Sequence, residues 1–264
     1  MGMIRLQNAR TSLTRSNNGG GQGAVIRRLV GTLLGVALLI LAMAPAAEAV
    51  PKRIIILRHG EKQNSYELCS VGQQRALALQ SNYIGKGAPN SLFPIGSRPD
   101  GIFAVTLHCL ELISPAAQSW GMPIHLFSVV PMDTQAKAQE TLQLNQRTRE
   151  AAHVVLHSPQ WSGKTVVMVW EHDHIAKKKL ERQFPKEKVT LRQLLNLDIL
   201  PDVPEDWHGD NYDYFWIIDY GNPGSPIPTK FTVKKQKFPA PYDTVPQNDW
   251  GEPENLPEGT DCGQ

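Results

Sequence analysis

The sequence predicts an α/β fold, a parallel or mixed sheet flanked by helices. Two observations carry this. Short, continuous β-branched runs such as Ile54-Ile55-Ile56-Leu57 and Val166-Val167-Met168-Val169 read as strands buried on both faces. Stretches of helical character separate them, which is the alternation that builds such sheets. A third observation concerns position. Arg58-His59 and Glu171-His172 directly follow two of these runs, and open α/β sheets gather ligands just past the carboxyl ends of their strands.

Taken in order, Arg53–Leu57 is the first expected strand. Ser70 caps a helix running through Ile84, with Ala76, Leu77, Ala78 and Leu79 supplying apolar surface. A loop rich in Gly, Pro, Asn and Ser spans 85–99. The second strand is expected at 101–106 and a short helix at 113–120, opening near Pro115 and stopped by Gly121. A third strand is expected at 123–129. A long helix runs from Asp133 to Leu156, capped by Asp133 or Thr134. Residues 164–170 form the fourth strand and 175–184 a basic helix. Tyr214–Asp219 is the fifth strand, and 230–233 a sixth. From Gly221 onward come eight of the 20 prolines; residues 239–264 read as an extended Pro-rich tail.

Bulk properties narrow the class. The 264 residues carry a formal net charge of +2, with basic residues spread along the chain, which gives no footprint for nucleic acid. Residues 1–28 hold five arginines, including the pair Arg27-Arg28, and no acid. The apolar stretch Leu29–Met43 follows, then Ala47-Glu48-Ala49. This is the pattern of a secretory signal peptide over 1–49, cleaved near Ala49, and the stretch is short for a bilayer span of about 20 residues. The expectation is a secreted or periplasmic domain over 50–238, with membrane contact only during export. About 215 residues then remain, enough for one domain with a sizeable core. Cys69, Cys109 and Cys262 make an odd number, and Cys69 with Cys109 is the expected pair if two are oxidised. The pattern sets no oligomeric state.

Three expected strand ends deliver imidazoles to one sheet edge: Arg58-His59, Leu107-His108, and Glu171-His172-Asp173-His174. One reading is a zinc site built from His59, His172, Asp173 and His174. Residues two apart on an extended segment point to opposite faces, and Arg58 and Lys62 beside His59 repel a cation. The reading that uses more residues is phosphoryl chemistry. Arginine presents a planar fork to phosphate oxygens, and a neutral imidazole is a nucleophile. Arg58, His172 and Lys62 then surround the phosphoryl oxygens, and His59 attacks phosphorus. A carboxylic acid protonates the leaving oxygen; Asp173, Glu171 and Asp133 are the candidates, Asp173 first. The outer wall of the site is expected from 63–67, 82–97 and 132–137.

Several segments resemble the histidine phosphatase superfamily, also called phosphoglycerate-mutase-like. Leu57-Arg58-His59-Gly60-Glu61-Lys62 is similar to its signature, and Val169-Trp170-Glu171-His172 to the second histidine segment of a small bacterial exported branch. The run from Leu68 to Ala76 and the strand Asp213–Ile218 also resemble that branch. The resemblance spans most of 51–220. It implies a three-layer α/β/α sandwich with a mostly parallel central sheet, no cofactor and no metal. It also implies His59 as phosphate acceptor, with Arg58 and His172 in the phosphate pocket and Asp173 in the place of a proton donor.

Two positions depart from the family pattern. Lys62 stands where an arginine is frequent, and His108 occupies the place of a second phosphate-binding arginine. A charge-assisted hydrogen bond contributes about 1.5–3 kcal/mol, so its loss weakens phosphate binding by roughly 10- to 100-fold. His108 replaces that charge only when protonated. With an ordinary pKa of about 6.5, activity is expected to fall as pH rises through neutrality. The expected activity is hydrolysis of a small phosphomonoester or phosphoanhydride through a phosphohistidine. The competing expectation is a non-catalytic phosphate- or ligand-binding protein on the same fold.

Overall fold

The computed structural model describes residues 49–129 and 137–263. Six strands form one sheet: β1 (Arg53–Arg58), β2 (Gly101–Ala104), β3 (His125–Leu126), β4 (Thr165–Trp170), β5 (Tyr214–Asp219) and β6 (Lys230–Lys235). Their spatial order is β3-β2-β4-β1-β5-β6. The pairings among β3, β2, β4 and β1 are parallel, and β5 and β6 add antiparallel. The two β-branched runs are central neighbours and fully buried, from Ile54 to Leu57 and from Val166 to Trp170. Polar side chains on either face of them would be desolvated without partners.

The helices are α1 (Ser70–Leu79), α2 (Leu107–Trp120), α3 (Lys137–His157), α4 (His172–Ile175), α5 (Lys178–Gln183) and α6 (Leu191–Leu194). Connections β1-α1-β2 and β2-α2-β3 step one way along the sheet, and β3-α3-β4 steps back. Right-handed crossovers then place α1 and α2 on one face and α3 on the other. In agreement, α1 packs on α2, and α3 on α4 and α6. The expected three-layer α/β/α sandwich is therefore formed.

Several boundaries differ from expectation. The first helix does reach Ile84, but Gln80–Ile84 is a wider π turn closed by the Gly85 N–H on the Gln80 carbonyl. A Cβ on Gly85 would lie 2.1 Å from that oxygen. Cys69, rather than Ser70, holds the N-cap, and the Ser70 hydroxyl donates to Asp261 instead. Helix α2 begins at Leu107, so Leu107-His108 is a first helical turn and not a strand end; Pro115 lies inside the helix. The expected third strand shrinks to two residues, although Phe127 and Val129 still donate to the Ala104 and Val105 carbonyls. Residues 130–136, including Asp133 and Thr134, lie outside the described residues. The single basic helix is two short ones, interrupted where Ala176 and Lys177 become extended and the Trp207 N–H takes the Ala176 carbonyl.

The disulfide expectation is corrected. Cys69 pairs with Cys262, across 193 residues. Cys109 is buried and free, with its sulfur accepting from the Thr106 hydroxyl at 3.2 Å. The tail beyond Phe238 has no regular structure, yet it is anchored. Trp250 packs on Trp207, Tyr214 and Trp216, and the Pro246 carbonyl accepts from Arg75 at 2.9 Å. Among the described residues, no helix is long and apolar enough to cross a membrane.

Candidate active site

The parallel register brings the predicted residues together. Arg58 is paired with Trp170, and the His59 N–H donates to the Trp170 carbonyl at 3.1 Å. Arg58-His59 and Glu171-His172 therefore leave adjacent strands side by side. Strand β2 pairs with β4 on its other edge, so the start of α2 reaches the same place. Around these ends lies a cavity of about 800 Å³, lined by Arg58, His59, Lys62, His108, Glu171 and His172 among others. That volume is within the range of about 300–1,000 Å³ typical of small-molecule sites.

His59 is the buried centre. Its Nδ1 lies 2.7 Å from the Gly60 carbonyl, which can only accept, so Nδ1 carries the proton and Nε2 presents its lone pair. Nε2 is 3.2 Å from Glu171 Oε2 and 3.3 Å from Arg58 Nη2. Burial lowers the His59 pKa to about 3; Lys62 and Arg58 act in the same direction and Glu171 opposes them. At neutral pH the ring is uncharged, with a free lone pair on Nε2.

Arg58 is held on three sides. Its guanidinium stacks 3.7 Å from the Tyr212 ring centroid, and Nη1 donates to the Gly209 carbonyl and, more weakly, to His208 and Asn211. The His172 ring centroid is 5.9 Å from that of His59, and burial with the Arg58 charge lowers its pKa to about 2. Arg58 Nε, His108 Nδ1 and His172 Nδ1 are buried nitrogens without a hydrogen-bond partner among the described residues. Buried polar atoms are seldom left so; an oxyanion in the cavity would supply an acceptor for Arg58 Nε–H, whereas the Nδ1 atoms of His108 and His172 are the acceptor nitrogens of neutral rings whose Nε2 faces the Asn64 carbonyl and the Asp173 carboxylate.

The carboxylate that meets His59 is Glu171. It accepts from the Thr106 hydroxyl at 2.8 Å and pairs with Lys62 at 3.0 Å. Burial alone would raise its pKa; the charges of His59, when protonated, and of Lys62 outweigh that and hold it well below the usual carboxylate range. Asp173, first choice from the sequence, is absent from the cavity lining. It is half-exposed and faces His172 Nε2 at 3.3 Å and Lys177 at 3.5 Å. His174 turns away entirely, its Nε2 2.9 Å from Asn145 Oδ1 on α3, so the alternative His172-x-His174 zinc arrangement does not form. His59, Glu171 and His172 do bring ligand atoms within 4.8 Å of one another. The Lys62 ammonium on Glu171 and the Arg58 charge beside His59 oppose a cation there.

His108 reaches the site from α2 instead of a strand end. Its ring centroid is 6.0 Å from that of His59, and Nε2 lies 2.8 Å from the Asn64 carbonyl. Burial, and then Lys62, lower its pKa. Burial and Lys62 thus both work against the expected protonated substitute for arginine and favour the neutral His108 ring. Its titration, followed by NMR, is expected to have a midpoint below 6.5, and His108→Ala is expected to leave the shape of any pH–rate profile between pH 6 and 8 unchanged.

The wall of the cavity differs from expectation. Gln63–Ser65 contribute as predicted. Residues 87–97 instead line a separate groove of about 450 Å³ with Trp120. Tyr212, Gly209 and the tail residues Glu254, Leu256 and Gly263 complete the main cavity, and no local pattern in the sequence marks them. Arg75, which the strand-end pattern does not include, carries a signal of its own. It is a charge on the buried stripe of α1, between Val71 and Leu79. Fully buried, it grips Glu61 with Nε at 3.0 Å and Nη2 at 2.5 Å, fixing the segment directly after His59. Gly72 allows this approach, since a Cβ there would lie 2.3 Å from the Glu61 carbonyl oxygen.

No protein-family model and no curated protein matches the chain. Solved structures with some likeness include a mycobacterial glucosyl-3-phosphoglycerate phosphatase, 14% identical with a TM-score of 0.41, covering 70% of this chain and 98% of that one. Mycobacterial hydrolase 2 is 11% identical with a TM-score of 0.39, covering 74% and 94%. Mycobacterial hydrolase 1 is 14% identical with a TM-score of 0.36, covering 70% and 98%. Likeness this remote carries no functional argument, so function is argued from the site's own residues.

Proposed function

We propose that the protein is a histidine phosphatase that hydrolyses a small phosphomonoester or phosphoanhydride through a phosphohistidine on His59. The observation that carries this reading is the buried, neutral His59, its Nδ1 bound to the Gly60 carbonyl and its Nε2 between Arg58 and Glu171. Phosphoryl transfer depends on positioning and on positive charge around the oxygens, and Arg58 and Lys62 provide that charge. His59 Nε2 forms the N–P bond as the P–O bond to the leaving group breaks. Glu171 is ionised at neutral pH, its pKa held low by the charges around it. The charge of the bound phosphoryl group raises its proton affinity, so it takes up a proton on binding and passes it to the leaving oxygen. It then accepts a proton from the water that cleaves the N–P bond, and phosphate departs. The Cys69–Cys262 disulfide supports the reading of an exported protein, because such bonds persist in oxidising compartments.

Phosphate release from an aryl and an alkyl phosphomonoester tests this. Turnover of both by the wild type is expected. Glu171→Gln is expected to lower alkyl ester hydrolysis by about 10²-fold or more and aryl ester hydrolysis less, since a phenolate leaves without prior protonation. Equal losses on both substrates would remove Glu171 as the acid. A second reading, a phosphate-binding protein without turnover, is favoured by one observation: His108 lines the cavity with an imidazole, which supplies no second guanidinium fork. Tight binding of inorganic phosphate with no release from either ester would establish it.

A further inference from the structure

The tail contributes more to the site than its composition implies. Three residues far from the rest of the site in sequence, Glu254, Leu256 and Gly263, line the cavity together with His59. The segment that carries them is fastened at both ends. On one side Trp250 packs on Trp207, Tyr214 and Trp216, and the Asn248 N–H donates to Asp213 at 3.2 Å. On the other side the Cys262 sulfur is bonded to Cys69. Next to it Asp261 accepts from the Ser70 N–H and hydroxyl, and the Gly263 N–H donates to the Lys62 carbonyl at 2.7 Å. Cys69 and Lys62 flank the turn 62–68, whose Gln63–Ser65 form the opposite wall.

Between these anchors, the segment touches the interior at Glu254, whose carboxyl is hydrogen-bonded to that of Glu61. Glu254 lies 3.8 Å from Arg75; burial and the neighbouring Glu61 carboxylate raise its pKa, so it sits in the wall without a full charge. Residues 253, 255 and 257–259 are exposed. A segment exposed over much of its length depends on its fastenings, and a covalent one contributes most where the remaining contacts are weakest.

We propose that residues 253–263 are a disulfide-fastened strap that sets the size of substrate the cavity admits, restricting it to small phosphate esters while Cys69–Cys262 is intact. This rests on the phosphatase reading of the same site, and Leu256 and Glu254 are its specificity-determining residues. Releasing the strap widens the entrance to His59 and leaves Arg58, Glu171 and His172 in place, its bond to Lys62 being to the backbone carbonyl and not to the ammonium.

The test compares kcat/KM for 4-nitrophenyl phosphate with that for a phosphotyrosine peptide, in full-length wild type and Cys262→Ser. The ratio of peptide to small ester is expected to rise by on the order of tenfold in the variant, with small-ester activity retained. Gly263→Val keeps the disulfide but drives a side chain at the Gln63 carbonyl, 2.7 Å from its Cβ, and is expected to move the ratio the same way by less. An unchanged ratio in both variants overturns the strap. If no form hydrolyses either ester, the phosphatase reading has failed, and the strap is judged by access alone. Carbethoxylation of His59 by diethylpyrocarbonate, read by mass spectrometry against exposed His153, is then expected to accelerate in Cys262→Ser. Equal rates in variant and wild type overturn it.

Discussion

In His59→Ala, release of phosphate from an aryl phosphomonoester is expected to fall by on the order of 10⁴-fold or more. The size follows from the role. Removing a nucleophile eliminates the covalent route, and the rest of the site can offer only orientation and charge to a direct attack by water. Those residual groups remain in place, because Arg58 is fixed by Tyr212 and the 208–211 carbonyls and Lys62 by Glu171. Binding of inorganic phosphate is therefore expected to change far less than turnover. The sharp measurement is a pair: single-turnover rate by rapid quench and phosphate affinity by calorimetry. A variant that loses affinity and rate in equal proportion would show that His59 binds without reacting.

Arg75→Met is expected to destabilise the fold by about 3–5 kcal/mol, because it strands the Glu61 carboxylate in the interior without its partner. For a domain of this size that lowers Tm by roughly 6–20 °C. The pH dependence gives the cause away. In the wild type, burial works against Glu61, but Arg75 outweighs it and the folded-state pKa is lowered; the pair's contribution is present above the unfolded carboxyl value of about 4.3 and lost as pH falls. In Arg75→Met the sign reverses. Burial now raises the Glu61 pKa, so the deficit is smallest near pH 4 and grows as pH rises through and above the unfolded value. Urea melts at pH 4 and pH 7 measure this. Adding Glu61→Gln is expected to recover part of the loss at pH 7, and a deficit independent of pH would assign the effect to packing alone.

These two residues also show how differently the parts of the site are written in the chain. His59 follows a run of four buried aliphatics, and the pattern that makes the strand also places the histidine at its carboxyl end. Glu171-His172 is marked in the same way by Val166–Trp170. His108 reaches the site by a route the local pattern does not mark: the apolar run suggests a strand end, yet β2 stops at Ala104 and the residue enters from the first turn of α2. Its titration was misjudged because the ordinary pKa of a histidine is a property of water, and this ring is buried beside Lys62. Choosing Asp173 over Glu171 failed to anticipate geometry in the same manner. Adjacent residues at a strand-to-helix junction diverge, and the Glu171 side chain meets His59 while Asp173 faces Lys177.

By itself, then, the sequence determined the layer architecture, the central pair of strands and the histidines past their ends. Each of these follows from local periodicity, and periodicity is a short-range property that the chain carries openly. Tertiary structure alone decided that Cys69 joins Cys262, that Arg75 locks Glu61, and that Tyr212 and the tail wall the cavity. Such contacts join residues more than a hundred positions apart in several cases, where no spacing rule operates. Only the packed interior selects them, through the exclusion of water and the need to give every buried charge a partner.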